Sequence, residues 1–110
     1  MPHNIRKLLI DISLACEELS EFIEEKTFHD FLNDRMLQLA IERQFEIIGE
    51  ALARLERKDP DNLPNKIPEY RKIIDFRNLI AHGYDVIDNA ALWDFAVYHV
   101  PELKLKIEEY

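Results

Sequence analysis

Arg77, Asn78 and His82 lie close together in the stretch Asp75-Phe76-Arg77-Asn78-Leu79-Ile80-Ala81-His82-Gly83-Tyr84. Between them they hold the parts for phosphodiester chemistry. An imidazole takes or gives a proton near neutral pH, and a guanidinium stabilises charge on a phosphate. Arg77 also breaks the logic of its own helix, because it falls in the middle of an apolar stripe made by Tyr70, Ile73, Ile74, Ile80 and Ala81. An arginine there must be paired, exposed at a cleft, or holding an anion. An interhelical ion pair to Glu46 or Glu50 is one answer, and a bound phosphate is the other. Asp75, Asn78 and His82 follow at i, i+3 and i+7 and line a neighbouring stripe. On spacing alone His82 reads first as a solvated surface histidine. On an ideal helix Arg77 and His82 point about 140° apart. The helix must therefore end at His82, or a second copy of the chain must complete the site.

The elements that carry these residues read as helices. Gly occurs only twice, Leu, Ile, Ala, Glu, Lys and Arg dominate, and β-branched Val and Thr are scarce. A first helix is predicted over about 4–26, where Ile5, Leu8, Leu9, Ile12, Ala15, Cys16, Leu19, Phe22 and Ile23 form one stripe. Cys16 inside that stripe reads as a buried inert thiol and not a nucleophile. Glu17, Glu18, Glu21, Glu24 and Glu25 form its solvated face. Thr27 with Asp30 resembles a capping box, though Asn33 or Asp34 could equally start the next helix. That helix runs to about Lys58 with a bundle seam of Leu37, Ile41, Phe45, Ile48, Leu52 and Leu55. Gly49 in its middle implies close packing against another helix. Residues 59–68, with three prolines, form the one clear loop. Helix resumes near Pro68 and runs to His82, with Gly83 as a stop; Asp88 caps a last helix from Asn89, kinked or divided by Pro101. The expected architecture is one all-α domain over 1–110, a small bundle of about four or five helices.

Composition narrows the function. With 110 residues, 14 Lys+Arg and 22 Asp+Glu, the net charge is −8. Apolar residues make up 47%, so this is not a disordered acidic tail. No apolar run is long enough for a membrane span, and the N-terminus lacks the core of a secretory signal. A cytoplasmic protein without membrane partners is expected. A single cysteine excludes an internal disulfide and a cysteine-built zinc site. No Asp, Glu and His cluster has metal-ligand spacing, so no metal and no cofactor is expected. His3, His29 and His99 have no partners at informative spacings and read as structural or solvated. The acidity argues against a general DNA-coating protein. Charge is nevertheless uneven: residues 66–77 carry Lys66, Arg71, Lys72 and Arg77 against Glu69 and Asp75, a local +2 on an otherwise acidic body.

Arg77-x-x-x-x-His82-x-Tyr84, with Asn78 directly after the arginine, resembles the R-x4-H-x-Y signature of HepT-like toxins, helical-bundle ribonucleases of the HEPN superfamily. The resemblance extends over nearly the whole chain, through the Ile47-Ile48-Gly49-Glu50-Ala51 block, the Ile67-Pro68 restart, Leu92-Trp93 and Pro101-Glu102-Leu103. It implies a metal-independent endoribonuclease toxin, acting on RNA as a homodimer with paired signatures at one cleft. It implies a partner too, a minimal nucleotidyltransferase antitoxin encoded beside it. By matching position Arg77 and His82 would be the catalytic pair, Asn78 would assist them, and Tyr84 would be the residue adenylylated by the partner to silence the nuclease. Two other classes fit the residues. One is a non-catalytic module that binds a nucleotide or the nucleotidyltransferase, with Arg77 as a phosphate clamp. The other is a plain dimerisation bundle with Arg77 in a salt bridge.

Overall fold

A computed structural model describes residues 3–82 and 88–110, and of residues 3 and 79–82 the backbone only. The described elements are α1 (His3–Ile23), α2 (Phe28–Leu32), α3 (Arg35–Lys58), α4 (Leu63–Lys66), α5 (Tyr70–His82), α6 (Asn89–Asp94), a π-helical turn (Phe95–His99) and α7 (Val100–Glu108). No strand occurs among the described residues. The all-α expectation holds. Since α6, the π turn and α7 follow one another without a break, the bundle has four long helical rods and two short helices.

The long helix α3 is its axis, with α1 packed on one side and α5 on the other, while α7 closes against α1. All six seam residues of α3 (Leu37, Ile41, Phe45, Ile48, Leu52 and Leu55) are buried. Each contributes roughly 1.5–3 kcal/mol of transfer free energy. On α1 the facing stripe of Ile5, Leu8, Ile12, Ala15, Cys16 and Leu19 is buried too. Burial pushes the Cys16 thiol up to about 12, which keeps it protonated and unreactive.

Local chemistry explains the boundaries, and both of the alternative caps are used. Thr27 and Asp30 form a reciprocal capping box, but it starts only the short α2. The chain turns at Asn33, and the Asp34 carboxylate accepts from Leu37 N–H to start α3. The break holds because Gln38 Nε2 donates to the carbonyls of Phe31 and Leu32, the C-terminal end of α2. The proline-rich loop is not featureless. It contains α4, pinned because Leu63 and Ile67 are fully buried. The Asp88 carboxylate accepts from Ala90 and Ala91 N–H and opens α6 as expected. Pro101 acts on the turn before it: having no N–H, it cannot continue an α-helical ladder. The chain widens there into the π turn, where Val100 N–H donates to Phe95 C=O. The predicted stop at Gly83 lies outside the described residues. No described helix is long and apolar enough to cross a membrane.

Candidate active site

Helix α5 crosses α3 at Arg77, and Gly49 is the residue that permits it. A Cβ built on Gly49 would fall well inside van der Waals contact of Arg77 Cβ and Cγ, and 3.2 Å from Cδ. The glycine that weakens α3 in isolation therefore lets the arginine stem lie flat on the α3 backbone. Seated there, Arg77 is only 27% exposed. Its Nε is buried and finds no hydrogen-bond partner among the described residues. Its Nη2 donates to Glu50 Oε2 at 2.9 Å, and its Nη1 donates to Asn78 Oδ1 at 2.8 Å. The other Glu50 oxygen, Oε1, accepts from Arg54 Nε at 3.2 Å. One carboxylate thus serves two guanidinium groups.

The interhelical ion pair anticipated for Arg77 exists, and Glu50 is the partner. Glu46 is engaged elsewhere, with Arg43 at 3.3 Å. Glu50 wins because it directly follows Gly49, the point where the two helices touch. Arg54 escaped the sequence reading, although its position one turn after Glu50 was the available signal.

Arg77 forms one edge of an open groove of about 390 Å³ between α1 and α3. Leu8, Leu14, Ala15, Ile47 and Ala51 supply its apolar wall. Its charged residues are Arg43, Arg54 and Arg77 against Asp11, Glu18, Glu46 and Glu50. The groove is thus mixed in charge and not a basic channel. The local positive segment on α5 is also muted, since Arg71 Nη2 contacts Glu56 of α3 at 2.6 Å.

Of the residues singled out for chemistry, Arg77 and Asn78 are brought into direct contact. The backbone of α5 is helical through His82, the last described residue before position 88, so whether the helix ends there, as a shared site on one chain requires, lies outside the described residues. The His82 side chain and Tyr84 lie outside what is described. His29 approaches Asn33 Nδ2 at 3.4 Å, and the His99 ring packs tilted against Phe95; both contacts are local.

Residues 12–110 match the family model described as "Ribonuclease HepT-like". The chain belongs to the HepT-like ribonuclease family. Among similar proteins, the "Probable ribonuclease HepT" of Thermococcus cleftensis is 36% identical over 109 residues, covering 99% of this chain and 97% of its own. The "Putative RNase MJ1380" of Methanocaldococcus jannaschii is 30% identical over 105 residues, covering 96% and 94%. No solved structure matches the chain. In this chain the Arg77 seat draws an arginine out of solvent, ties it to a second helix and leaves it at the edge of a groove.

Proposed function

We propose that this HepT-like chain is a metal-independent endoribonuclease toxin whose centre is built from Arg77, Asn78 and His82. The observation that carries the reading is the seat of Arg77: an arginine over a glycine, oriented by Glu50 and Asn78, on the edge of an open groove. The substrate's own 2′-hydroxyl attacks the adjacent phosphorus, so no metal-bound water is needed. A 2′-O–P bond forms and the P–O5′ bond breaks, leaving a cyclic phosphate and a free 5′-hydroxyl. His82 transfers protons, taking one from the 2′-hydroxyl or giving one to the 5′-oxygen. Arg77 with Asn78 holds the phosphate as charge builds in the crowded transition state.

A homodimer fits this chemistry, because positions 77 and 82 of an ideal helix point about 140° apart, and a second copy can supply the group that one helix does not. Exposed Ile10 and Leu14 on α1, with Leu14 in the groove wall, supply an apolar surface for a second copy. Light scattering that gave only the 13.1 kDa monomer at micromolar concentration would remove the shared site. In the same reading a minimal nucleotidyltransferase antitoxin adenylylates Tyr84. The added phosphate then excludes substrate by like charge and bulk. Intact-mass analysis with that partner, ATP and Mg²⁺ tests the acceptor; modification that persists in Tyr84→Phe places it elsewhere.

One observation favours a purely structural arginine, namely that Glu50 already occupies Nη2. RNA cleavage in EDTA separates the two readings. Arg77→Ala and His82→Ala are each expected to abolish cleavage at unchanged helical content. Equal cleavage by wild type and both variants would contradict the catalytic reading.

A further inference from the structure

Among the described residues, Glu50 is the one contact that ties the Arg77 guanidinium to another helix. The arginine stem is fixed by Gly49, and its Nε is sealed without a partner among the described residues, so only the two Nη groups remain to meet an anion. Their direction depends on rotation of the planar end group. The contact to Asn78 comes from the next residue on the same helix and from an exposed side chain, so it moves with α5 and constrains that rotation weakly. Glu50 Oε2 reaches Nη2 from α3. Its own carboxylate also accepts from Arg54 Nε at Oε1, from the same helix. The chain of contacts runs Arg54–Glu50–Arg77, with a single negative charge between two positive ones.

We propose that Glu50 is a positioning residue for RNA cleavage, holding the Arg77 fork in the orientation in which it receives the phosphate. The inference rests on the reading of Arg77 as a substrate-facing residue. It also accounts for an oddity of the site, a carboxylate placed where a polyanion must approach. As a binding group Glu50 is unfavourable, since it repels phosphate; as an orienting group it fixes a planar donor that a point charge could not replace. Removing it therefore separates two kinetic quantities. The misaimed fork loses transition-state contact, which lowers kcat, while loss of the negative charge leaves KM unchanged or lower.

The test is cleavage of a fluorescent mixed-sequence RNA oligonucleotide in EDTA by the full chain, with melting temperatures measured alongside. Glu50→Gln is expected to lower kcat about 10- to 100-fold without raising KM, and Glu50→Asp, which keeps the charge on a shorter arm, to fall between it and wild type. In an Arg77→Lys background no fork remains to be aimed. There Glu50→Gln is expected to change the residual rate by about twofold at most, whereas a merely structural role lowers the rate equally in both backgrounds and in step with melting temperature. Wild-type or raised kcat in Glu50→Gln, or the same loss in both backgrounds, overturns the proposal. If Glu50→Gln does not fold, Glu50→Asp decides alone: a lower kcat at unchanged melting temperature supports the role, and an undiminished kcat overturns it. Arg77→Ala separates the two levels. Its full activity would remove the underlying reading of the site, while its inactivity beside an unimpaired Glu50→Gln would remove only the role of Glu50.

Discussion

Helix α5 grips α3 through two arginines, and they are held differently. At one end Arg71 reaches Glu56 at 2.6 Å, with its side chain 60% exposed and lying over the Tyr70 ring. At the other end Arg77 reaches Glu50 at 2.9 Å, only 27% exposed, its stem on a glycine and its Nε shut off from water. The Arg71 contact is a surface ion pair, of the kind that salt screens and that stability barely registers. The Arg77 contact required a glycine in mid-helix, a carboxylate shared with Arg54 and a buried donor left without a partner. None of those features strengthens the bundle. On the proposed reading of the site, two arginines on one helix, each with a glutamate on the same neighbour, have separate purposes: Arg71 fastens and Arg77 is aimed.

Gly49→Ala is expected to have a large effect on both stability and cleavage. Alanine improves intrinsic helix propensity by about 1 kcal/mol, yet its methyl group collides with the Arg77 stem. Overpacking of that kind costs about 1–3 kcal/mol, and displacement of the guanidinium should lower cleavage about 100-fold. Denaturant unfolding and RNA cleavage of this variant check both. A more stable, fully active Gly49→Ala protein would show slack at the crossing and dissolve the contrast between the two arginines.

A smaller effect sharpens the comparison from the acidic side. Glu42, also on α3, is buried with its Oε2 lacking a hydrogen bond among the described residues, and Arg35 is 3.7 Å away. Burial raises its pKa above the usual carboxylate value, outweighing the attraction of Arg35. The folded state then holds that proton more tightly than the unfolded chain. Its contribution to stability therefore falls as pH rises from the unfolded value through the raised folded one. Melting temperatures of wild type and Glu42→Gln between about pH 4 and pH 7 should show wild type losing ground to the variant as pH rises. The opposite trend would show that the attraction of Arg35 outweighs burial at Glu42.

Much of this was legible in the residues themselves. The stripes of α1 and α3 were plain because a 3.6-residue period survives any tertiary detail. Gly49 announced a close crossing, and Arg77 on an apolar stripe announced a partner. The choice between Glu46 and Glu50 was not legible, because both lie on the same side of α3 and only the location of the crossing separates them. The separate α2 was hidden for a related reason. Thr27 and Asp34 are both competent caps, and nothing local says that both are used until Gln38 turns back onto the end of α2. Helix α4 was masked by the prolines around it, since its stability comes from burying Leu63 and Ile67 and not from propensity. The π turn depends on what Pro101 withholds from the turn before it. His82 and Tyr84 were named from their place in the signature, and their side chains lie outside the described residues.

The central claim, that Arg77 is aimed while Arg71 fastens, is tested most directly by measuring two quantities on two variants. RNA cleavage in EDTA and thermal unfolding are followed for Arg71→Ala and Arg77→Ala beside wild type, at low and high salt. The account predicts that Arg71→Ala cleaves like wild type and melts slightly lower, with the deficit shrinking as salt rises. It predicts that Arg77→Ala folds and melts close to wild type but has lost cleavage by about 10³-fold or more. Two variants that lose cleavage only in proportion to stability, or an Arg77→Ala protein that still cleaves, would contradict it.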